Sequence, residues 1–154
     1  MTRHEGVLLT SMDIELFDTN KHDVDEVKVI LSMATGEQTP ENLESLLEDF
    51  STSDNRLLFI GLINDVITGI IGIDCSEKPS GLITHLAVLP KNRKRGIGRH
   101  LINETAKVLG LSTMELETDQ DAVDFYQACG FTATEVESKY PGIHRFRCTR
   151  NMIE

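Results

Sequence analysis

The chain has 154 residues, the size of one ordinary domain, and its 25 acidic against 15 basic side chains give a formal charge of -10. With 40% hydrophobic and 26% charged residues and no low-complexity run, it is typical of a folded globular protein. Its acidity disfavours a nucleic-acid partner, and no apolar stretch approaches the roughly 20 residues that span a bilayer. Since no signal-peptide pattern opens the sequence either, we expect a cytoplasmic protein without a membrane partner.

Apolar periodicity predicts strands and helices along the whole chain, as one domain over residues 1–154 in which residues 1–12 are a candidate flexible extension. The predicted elements are strand 13–17, helix 23–34, a helix opening at Thr39 and Pro40, strands 57–63, 66–74 and 82–89, helix 96–110, strand 112–118, helix 119–130, and strands 131–138 and 144–150. This order, β-α-α-β-β-β-α-β-α-β-β, predicts an α/β domain layered around one mixed sheet.

The cysteines and the last helix carry two further expectations. Cys75, Cys129 and Cys148 lack any CxxC or metal-ligand spacing, so we expect free buried thiols in a reducing compartment and no metal site. In the helix after residue 119, Asp119 is expected to be the cap. The buried stripe of that helix is predicted to be Ala122, Phe125, Tyr126 and Cys129.

A basic run, KNRKRGIGRH at 91–100, stands out in this acidic chain. Residues 1–54 hold 13 acids against 3 bases, whereas residues 91–99 hold five Lys or Arg and no acid. The run follows a predicted strand, and Gly96 opens a predicted helix. Such a turn directs unpaired backbone N–H groups and the positive end of the helix dipole at an anion, and glycine removes the Cβ that would obstruct it.

Several ligands compete for this basic run. A dinucleotide fingerprint would need a third glycine where the chain has Leu101, and the chain contains no Walker A sequence. A basic patch for nucleic acid and a solvated glycine turn remain as alternatives. The combination of strand, glycines and cations favours a cradle for the pyrophosphate of a phosphorylated cofactor.

Two segments resemble the GNAT family of N-acetyltransferases. LAVLPKNRKRGIGRHLI at 86–102 is similar to its acetyl-CoA signature, R/Q-x-x-G-x-G/A after a strand, and DQDAVDFYQACGF at 119–131 is similar to N-x-x-A-x-x-x-Y-x-x-x-G-F, with Asp119 replacing the Asn. The resemblance implies a GNAT-type mixed, splayed central sheet flanked by helices, and acetyl-CoA (coenzyme A) as the cofactor. It implies an acyltransferase that moves acetyl directly to a primary amine of a small molecule or peptide. A non-catalytic acyl-CoA sensor on the same fold is the alternative, and a homodimer is left open.

The resemblance also assigns residues. It implies that the backbone of the bulged strand binds pantetheine and that the basic loop holds the pyrophosphate. The cofactor-binding set is Leu86, Ala87, Val88, Arg93, Lys94, Arg95, Gly96, Ile97, Gly98, Arg99, Asp119 and Tyr126.

Catalytic roles follow from the same resemblance. Tyr126 would donate a proton to the leaving thiolate, although a core aromatic is its alternative interpretation, and a backbone N–H near Leu86 would bind the oxyanion. His85 is the candidate base, against a packed structural histidine. Strand alternation could place it on the other face, because family members often carry the base at the position of Thr84. Weaker candidates for the base are Glu117, His144 and Asp74.

The acceptor site is expected between residues 33–42 and 138–145. Acids could bind an ammonium group and bases a carboxylate, which would suit a zwitterion, or both sets could be ordinary surface charge. The acids are Glu37 and Glu41, and the bases are His144, Arg145 and Arg147.

Overall fold

The computed structural model describes residues 12–36 and 39–153. In that part the strands are β1 (Met12–Leu16), β2 (Arg56–Ile63), β3 (Val66–Asp74), β4 (Ser80–Val88), β5 (Thr113–Asp119), β6 (Thr132–Val136) and β7 (Arg145–Asn151). The helices are α1 (Val24–Ser32), α2 (Pro40–Thr52), α3 (Ile97–Leu109) and α4 (Val123–Ala128). The described strands form one seven-stranded sheet in the order β1-β2-β3-β4-β5-β7-β6. The predicted α/β fold class and element order are confirmed.

The sheet opens between β4 and β5. These two strands are parallel and pair only at Ser80↔Thr113, Gly81↔Met114 and Leu82↔Glu115. Beyond Leu82 they separate, while β3 continues to pair with β4 as far as Val88. The second half of β4 therefore presents backbone N–H and C=O groups on the β5 side that no described strand pairs, and the expected splay is confirmed.

Two apolar cores lie on opposite faces of the sheet. Under α3 and α4, the core includes the fully buried Ile73, Leu101 and Met114. Under α1 and α2 it includes Val27 and Ile70, which are also fully buried. Burying each such aliphatic side chain contributes about 1.5–3 kcal/mol relative to leaving it in water, so the two cores hold both faces of β4 in place.

Helix starts follow the capping residues that the sequence predicts, with one exception. The Thr39 hydroxyl accepts from the Asn42 backbone N–H at 3.1 Å, with Pro40 in the first turn. Asp119, by contrast, is the last residue of β5, and its carboxylate accepts from the N–H of Ala122 at 3.0 Å. The predicted helix cap was therefore wrong by one turn, because Asp119 closes the turn that precedes α4.

The first residues of the chain are only partly described. Met12, expected in a flexible extension, begins β1 opposite Ile63 and is 6% exposed. That expectation was wrong for Met12 because its side chain packs in the core, and residues 1–11 lie outside the described part. No helix among the described residues is both long and apolar enough to cross a membrane.

The cysteines are free thiols, as expected. Cys129 and Cys148 are buried as expected, whereas Cys75, which directly follows β3, is only half-buried, so the prediction of burial was wrong for it.

Candidate active site

A cavity of about 800 Å³ lies beside the open edge of β4, between α3 and α4. Most of the predicted cofactor residues line it: Leu86, Ala87, Val88, Arg93, Lys94, Gly96, Ile97, Gly98, Arg99 and Tyr126. Arg95 and Asp119 do not line its wall. Met33, within the segment 33–42 that was expected to form the acceptor site, lines this cavity too. The other lining residues were not assigned to a site from the sequence, namely Asn92, Asp121, Ala122, Phe125, Ala128 and Cys129.

One end of the cavity is an anion-binding turn. Gly96 precedes α3 in the left-handed region, with φ of 79°, and provides no side-chain cap. The first hydrogen bond of α3 runs from the N–H of His100 to the carbonyl of Gly96, so the three N–H groups before it have no intrahelical acceptor. Because the helix dipole adds positive charge at the same point, this turn suits a phosphate.

Cations surround the same turn. The guanidinium Nε of Arg93 donates to the carbonyl of Val88 at 3.0 Å, and Arg99 donates to the carbonyl of Ala128. These contacts hold both guanidinium groups beside the start of α3. Lys94, with φ of 66°, also lines the cavity. The side-chain oxygen of Asn92 is buried on the cavity wall and has no hydrogen-bond partner among the described residues.

The two glycines of the turn have different structural roles. Gly96 needs its positive φ, whereas a Cβ on Gly98 would lie 2.9 Å from Cζ of Phe125. Gly98 therefore allows α4 to approach α3, in addition to the close approach of an anion that the sequence suggested. Phe125, expected in a buried stripe, is 41% exposed because its ring faces the cavity.

Tyr126 lies at the apolar wall of the cavity. It is 8% exposed, and its ring packs edge-to-face against Phe125 and Phe131 at centroid distances of 5.0 and 5.8 Å. Burial raises the pKa of its phenol to about 12, with smaller contributions from Cys129, Cys148 and Asp119. Within the described residues no group hydrogen-bonds the phenol oxygen. At neutral pH the hydroxyl is protonated and available as a donor.

A bulge in β4 decides which way His85 points. Gly72 pairs with His85 and the next residue of β3 pairs with Ile83, so Thr84 is an extra residue. Ile83 packs in the core under α3, whereas the His85 ring lies edge-to-face against Phe50 of α2 at 5.7 Å. The bulge thus places His85 on the face opposite the cofactor-sized cavity.

Two smaller cavities lie beside the bulge. One of about 510 Å³ runs between the end of α1 and α2, and we call it the acceptor groove; it is lined by Ala34, Thr35, Asn42, Ser45, Leu46, Asp49 and His85. The other, of about 490 Å³, lies in the gap between β4 and β5 and is lined by Leu82, Ile83, Thr84, Glu115, Leu116, Glu117 and Arg147. β4 therefore borders all three cavities.

His85 has the properties of a neutral base. Its Nδ1 lies 2.8 Å from Oγ1 of Thr84. Burial lowers the pKa of the imidazole below its ordinary value, and the nearby charge of Arg56 lowers it further. The ring is therefore uncharged at neutral pH and able to accept a proton.

The other candidate bases lie in different environments. Glu117 lines the cavity in the β4–β5 gap. The side chain of Asp74 accepts from the hydroxyl and the N–H of Ser76, and these hydrogen bonds lower its pKa. His144 lines none of the three cavities, and its Nδ1 lies 2.7 Å from a carboxylate oxygen of Glu135.

The residues expected to bind an acceptor are not brought together. Arg147 is ion-paired with Glu115, and Glu41 and Arg145 line none of the three cavities. Glu37 lies outside the described residues. Ala34, Thr35 and Asn42 of the groove lie within the predicted segment 33–42. Ser45 and Asp49 of α2 were missed because polar side chains on a helix resemble any solvated face in the sequence.

Residues 54–133 match the model of the acetyltransferase (GNAT) domain family. The chain belongs to the GNAT family. The match runs from the start of β2 to the start of β6, so it includes the anion-binding turn, the bulged strand and α4. The family predicted from the two sequence segments is confirmed.

Named relatives agree with this assignment. An uncharacterized N-acetyltransferase in the lysA 3' region of Bacillus methanolicus is 24% identical over 100 residues, which are 65% of this chain and 82% of the relative. An aminoglycoside 6'-N-acetyltransferase solved with coenzyme A superposes with a TM-score of 0.76 at 17% identity, covering 92% of this chain and 98% of that one. The ribosomal-protein-S18-alanine N-acetyltransferase of Escherichia coli has a TM-score of 0.71 at 18% identity, covering 93% and 95%. The GNAT domain thus has the fold of these two solved enzymes. The predicted cofactor agrees with the coenzyme A bound to the aminoglycoside 6'-N-acetyltransferase.

Proposed function

We propose that this GNAT domain transfers the acetyl group of acetyl-CoA directly to a primary amine of a small molecule or peptide. One observation carries the proposal. Beyond Leu82, β4 is separated from β5, and its bulge directs Leu86 and Val88 towards the large cavity and His85 towards the acceptor groove. A thioester on one side of this strand can therefore meet an amine that arrives from the other side.

The large cavity supports acetyl-CoA as the donor, which supplies an activated acyl group. The first-turn N–H groups of α3, together with Arg93, Lys94 and Arg99, would hold the phosphates. The free backbone edge of β4 at Leu86 to Val88 would hydrogen-bond the pantetheine amides. On this division, the charged phosphates would lie at the loop and the thioester near Tyr126.

In the proposed chemistry, one side chain donates a proton and another accepts one. A backbone N–H near Leu86 stabilises the oxygen that gains negative charge during attack. The protonated Tyr126 hydroxyl donates to the departing sulfur, and His85 accepts the proton that the amine loses. Burial favours the neutral form of both side chains, which is the form that each step needs.

The lining of the acceptor groove supports an amine that lacks a carboxylate near its reacting end. Among the described residues that line the groove, one carries a formal charge, Asp49. Its carboxylate pairs with the guanidinium of Arg56 at 3.2 Å. Of the bases expected to bind a carboxylate, Arg147 and His144 are already paired with glutamates. We therefore favour neutral or cationic amines over zwitterions.

The test is a panel of acetyl-CoA with small amines, amino acids and peptides, in which thiol release is followed. We expect release that depends on the amine, and amines without a neighbouring carboxylate to be preferred. Binding of acetyl-CoA without turnover of any amine would overturn the proposal in favour of a non-catalytic acyl-CoA sensor.

A further inference from the structure

Thr84 and His85 form a hydrogen-bonded pair at the bulge of β4. Thr84 borders the cavity in the β4–β5 gap and is exposed, while His85 borders the acceptor groove. Their atoms Oγ1 and Nδ1 lie 2.8 Å apart. A Cβ on Gly72 would lie 2.9 Å from Oγ1 of Thr84 and 3.1 Å from Nδ1 of His85, so both side chains project to the same face of the sheet.

The partner of one imidazole nitrogen decides what the other nitrogen can do. A neutral histidine carries one N–H, and only its bare nitrogen can accept a proton. Nδ1 of His85 is engaged by Thr84, and no described residue hydrogen-bonds Nε2. If Nδ1 carries the hydrogen, Nε2 is the bare nitrogen, and it is the one left for a substrate.

We propose that Thr84 is a positioning residue whose hydroxyl oxygen accepts the Nδ1–H of His85 and so keeps Nε2 unprotonated for the amine. This inference rests on the proposed function. Thr84 is exposed beside the cavity in the β4–β5 gap, so its hydroxyl can donate its own hydrogen to water there. When Nε2 takes the proton of the amine, the Nδ1–H group remains hydrogen-bonded to the hydroxyl oxygen of Thr84. The imidazolium then loses the proton on Nε2 to water in the acceptor groove.

The surroundings of the pair hold the ring but do not replace Thr84. Phe50 contacts the ring edge-to-face from α2, and Gly72 lies beneath it on β3. The charged groups nearby are Arg56 of β2 and Asp49 of α2, which pair with each other. Substitution of Thr84 leaves all of these in place, so its effect can be measured separately.

Nitrogen NMR of ¹⁵N-histidine-labelled protein tests the tautomer directly. We expect His85 of the wild type and of Thr84→Ser to carry its hydrogen on Nδ1, and that of the isosteric Thr84→Val to move it to Nε2. A wild type with Nε2 protonated, or a tautomer unchanged in Thr84→Val, would overturn the inference. Because NMR needs no substrate, this result stands even if no amine is acetylated, which would refute the proposed function alone.

A double-mutant cycle tests the consequence for catalysis. We expect Thr84→Val to lower kcat/KM by about 10-fold, which is less than the roughly 10²–10⁴-fold of a whole general acid or base because His85 itself remains, and Thr84→Ser to retain activity. In a His85→Gln background, Thr84→Val should cost nothing further, because its only target is gone. Equal losses in both backgrounds would show a structural role instead and contradict the inference.

Discussion

Tyr126 and His85 owe their proposed roles to the same physical cause. Burial raises the pKa of the phenol and lowers that of the imidazole, because it disfavours the charged form of each. The two residues lie on opposite sides of β4, one beside the large cavity and one beside the acceptor groove. The structure thus has a neutral donor in the cavity on one side of the strand and a neutral acceptor in the cavity on the other side.

The first prediction concerns the pH dependence of His85. Its pKa lies below the ordinary 6.5, so the acidic limb of kcat/KM should fall below pH 6.5. Because Arg56 contributes to the lowering, Arg56→Ala should move the limb towards higher pH. The free energy of unfolding should depend on pH in the same direction. Because the unfolded chain binds a proton at His85 more readily than the folded chain does, the folded state loses stability as the pH falls below 6.5. A pH–rate profile whose acidic limb survives unchanged in His85→Ala would remove His85 as the base.

The second prediction concerns Tyr126→Phe, which removes only the hydroxyl. We expect kcat to fall by about 10²-fold, with little change in the KM for acetyl-CoA, because the hydroxyl acts on the leaving sulfur. Steady-state kinetics at saturating amine measure both constants. Phe131→Leu, which alters a ring that packs against Tyr126, is the packing control. Full activity in Tyr126→Phe would leave Tyr126 as a core aromatic.

At the level of elements, the contact between α3 and α4 shapes the cofactor cavity. Gly98→Ala would place a methyl group 2.9 Å from the tip of Phe125, whose ring is partly exposed and can swing into the cavity. We therefore predict a small change in Tm but about 10-fold weaker binding of acetyl-CoA by titration calorimetry. Phe125→Leu should restore binding in the Gly98→Ala background. Weak binding that persists in the double variant would show that Gly98 acts on the anion rather than through α4.

The order of elements could be predicted because its signals are local. Thr39 with Pro40, and Gly96 with Gly110, mark helix ends through their own backbone and side-chain chemistry. The family followed from two local segments. The resemblance implied a bulge in this strand, but its position at Thr84 could not be predicted, since one extra residue relative to β3 is visible only once the strands are paired.

The same limit applies to the walls of the site. Phe125 and Asn92 have no signal of their own in the sequence. They line the cavity because of where distant elements place them. The α2 side of the acceptor groove likewise depends on how that helix lies over β4 rather than on its polar residues.

Over the whole molecule, a basic loop contrasts with a net charge of -10. Lys94 lines the large cavity and Arg95 does not, so the two neighbours form a matched pair. We predict that Lys94→Ala weakens acetyl-CoA binding by about 10-fold, as expected for one hydrogen bond to a charged group. Arg95→Ala should have a smaller effect that vanishes near 1 M salt, where the Debye length is about 3 Å. If Arg95→Ala weakened acetyl-CoA binding equally at low salt and at 1 M salt, Arg95 would contact the cofactor directly.

Direct transfer across β4 is the central claim, and a single-turnover experiment tests it. Enzyme in excess over acetyl-CoA labelled in its acetyl group is mixed with an amine from the productive panel, quenched, and analysed by mass spectrometry. We predict that the label moves from the thioester to the amine nitrogen in step with thiol release, and that no labelled protein accumulates. Label that first collects on the protein, or that stays on coenzyme A while the amine is unchanged, would contradict the claim.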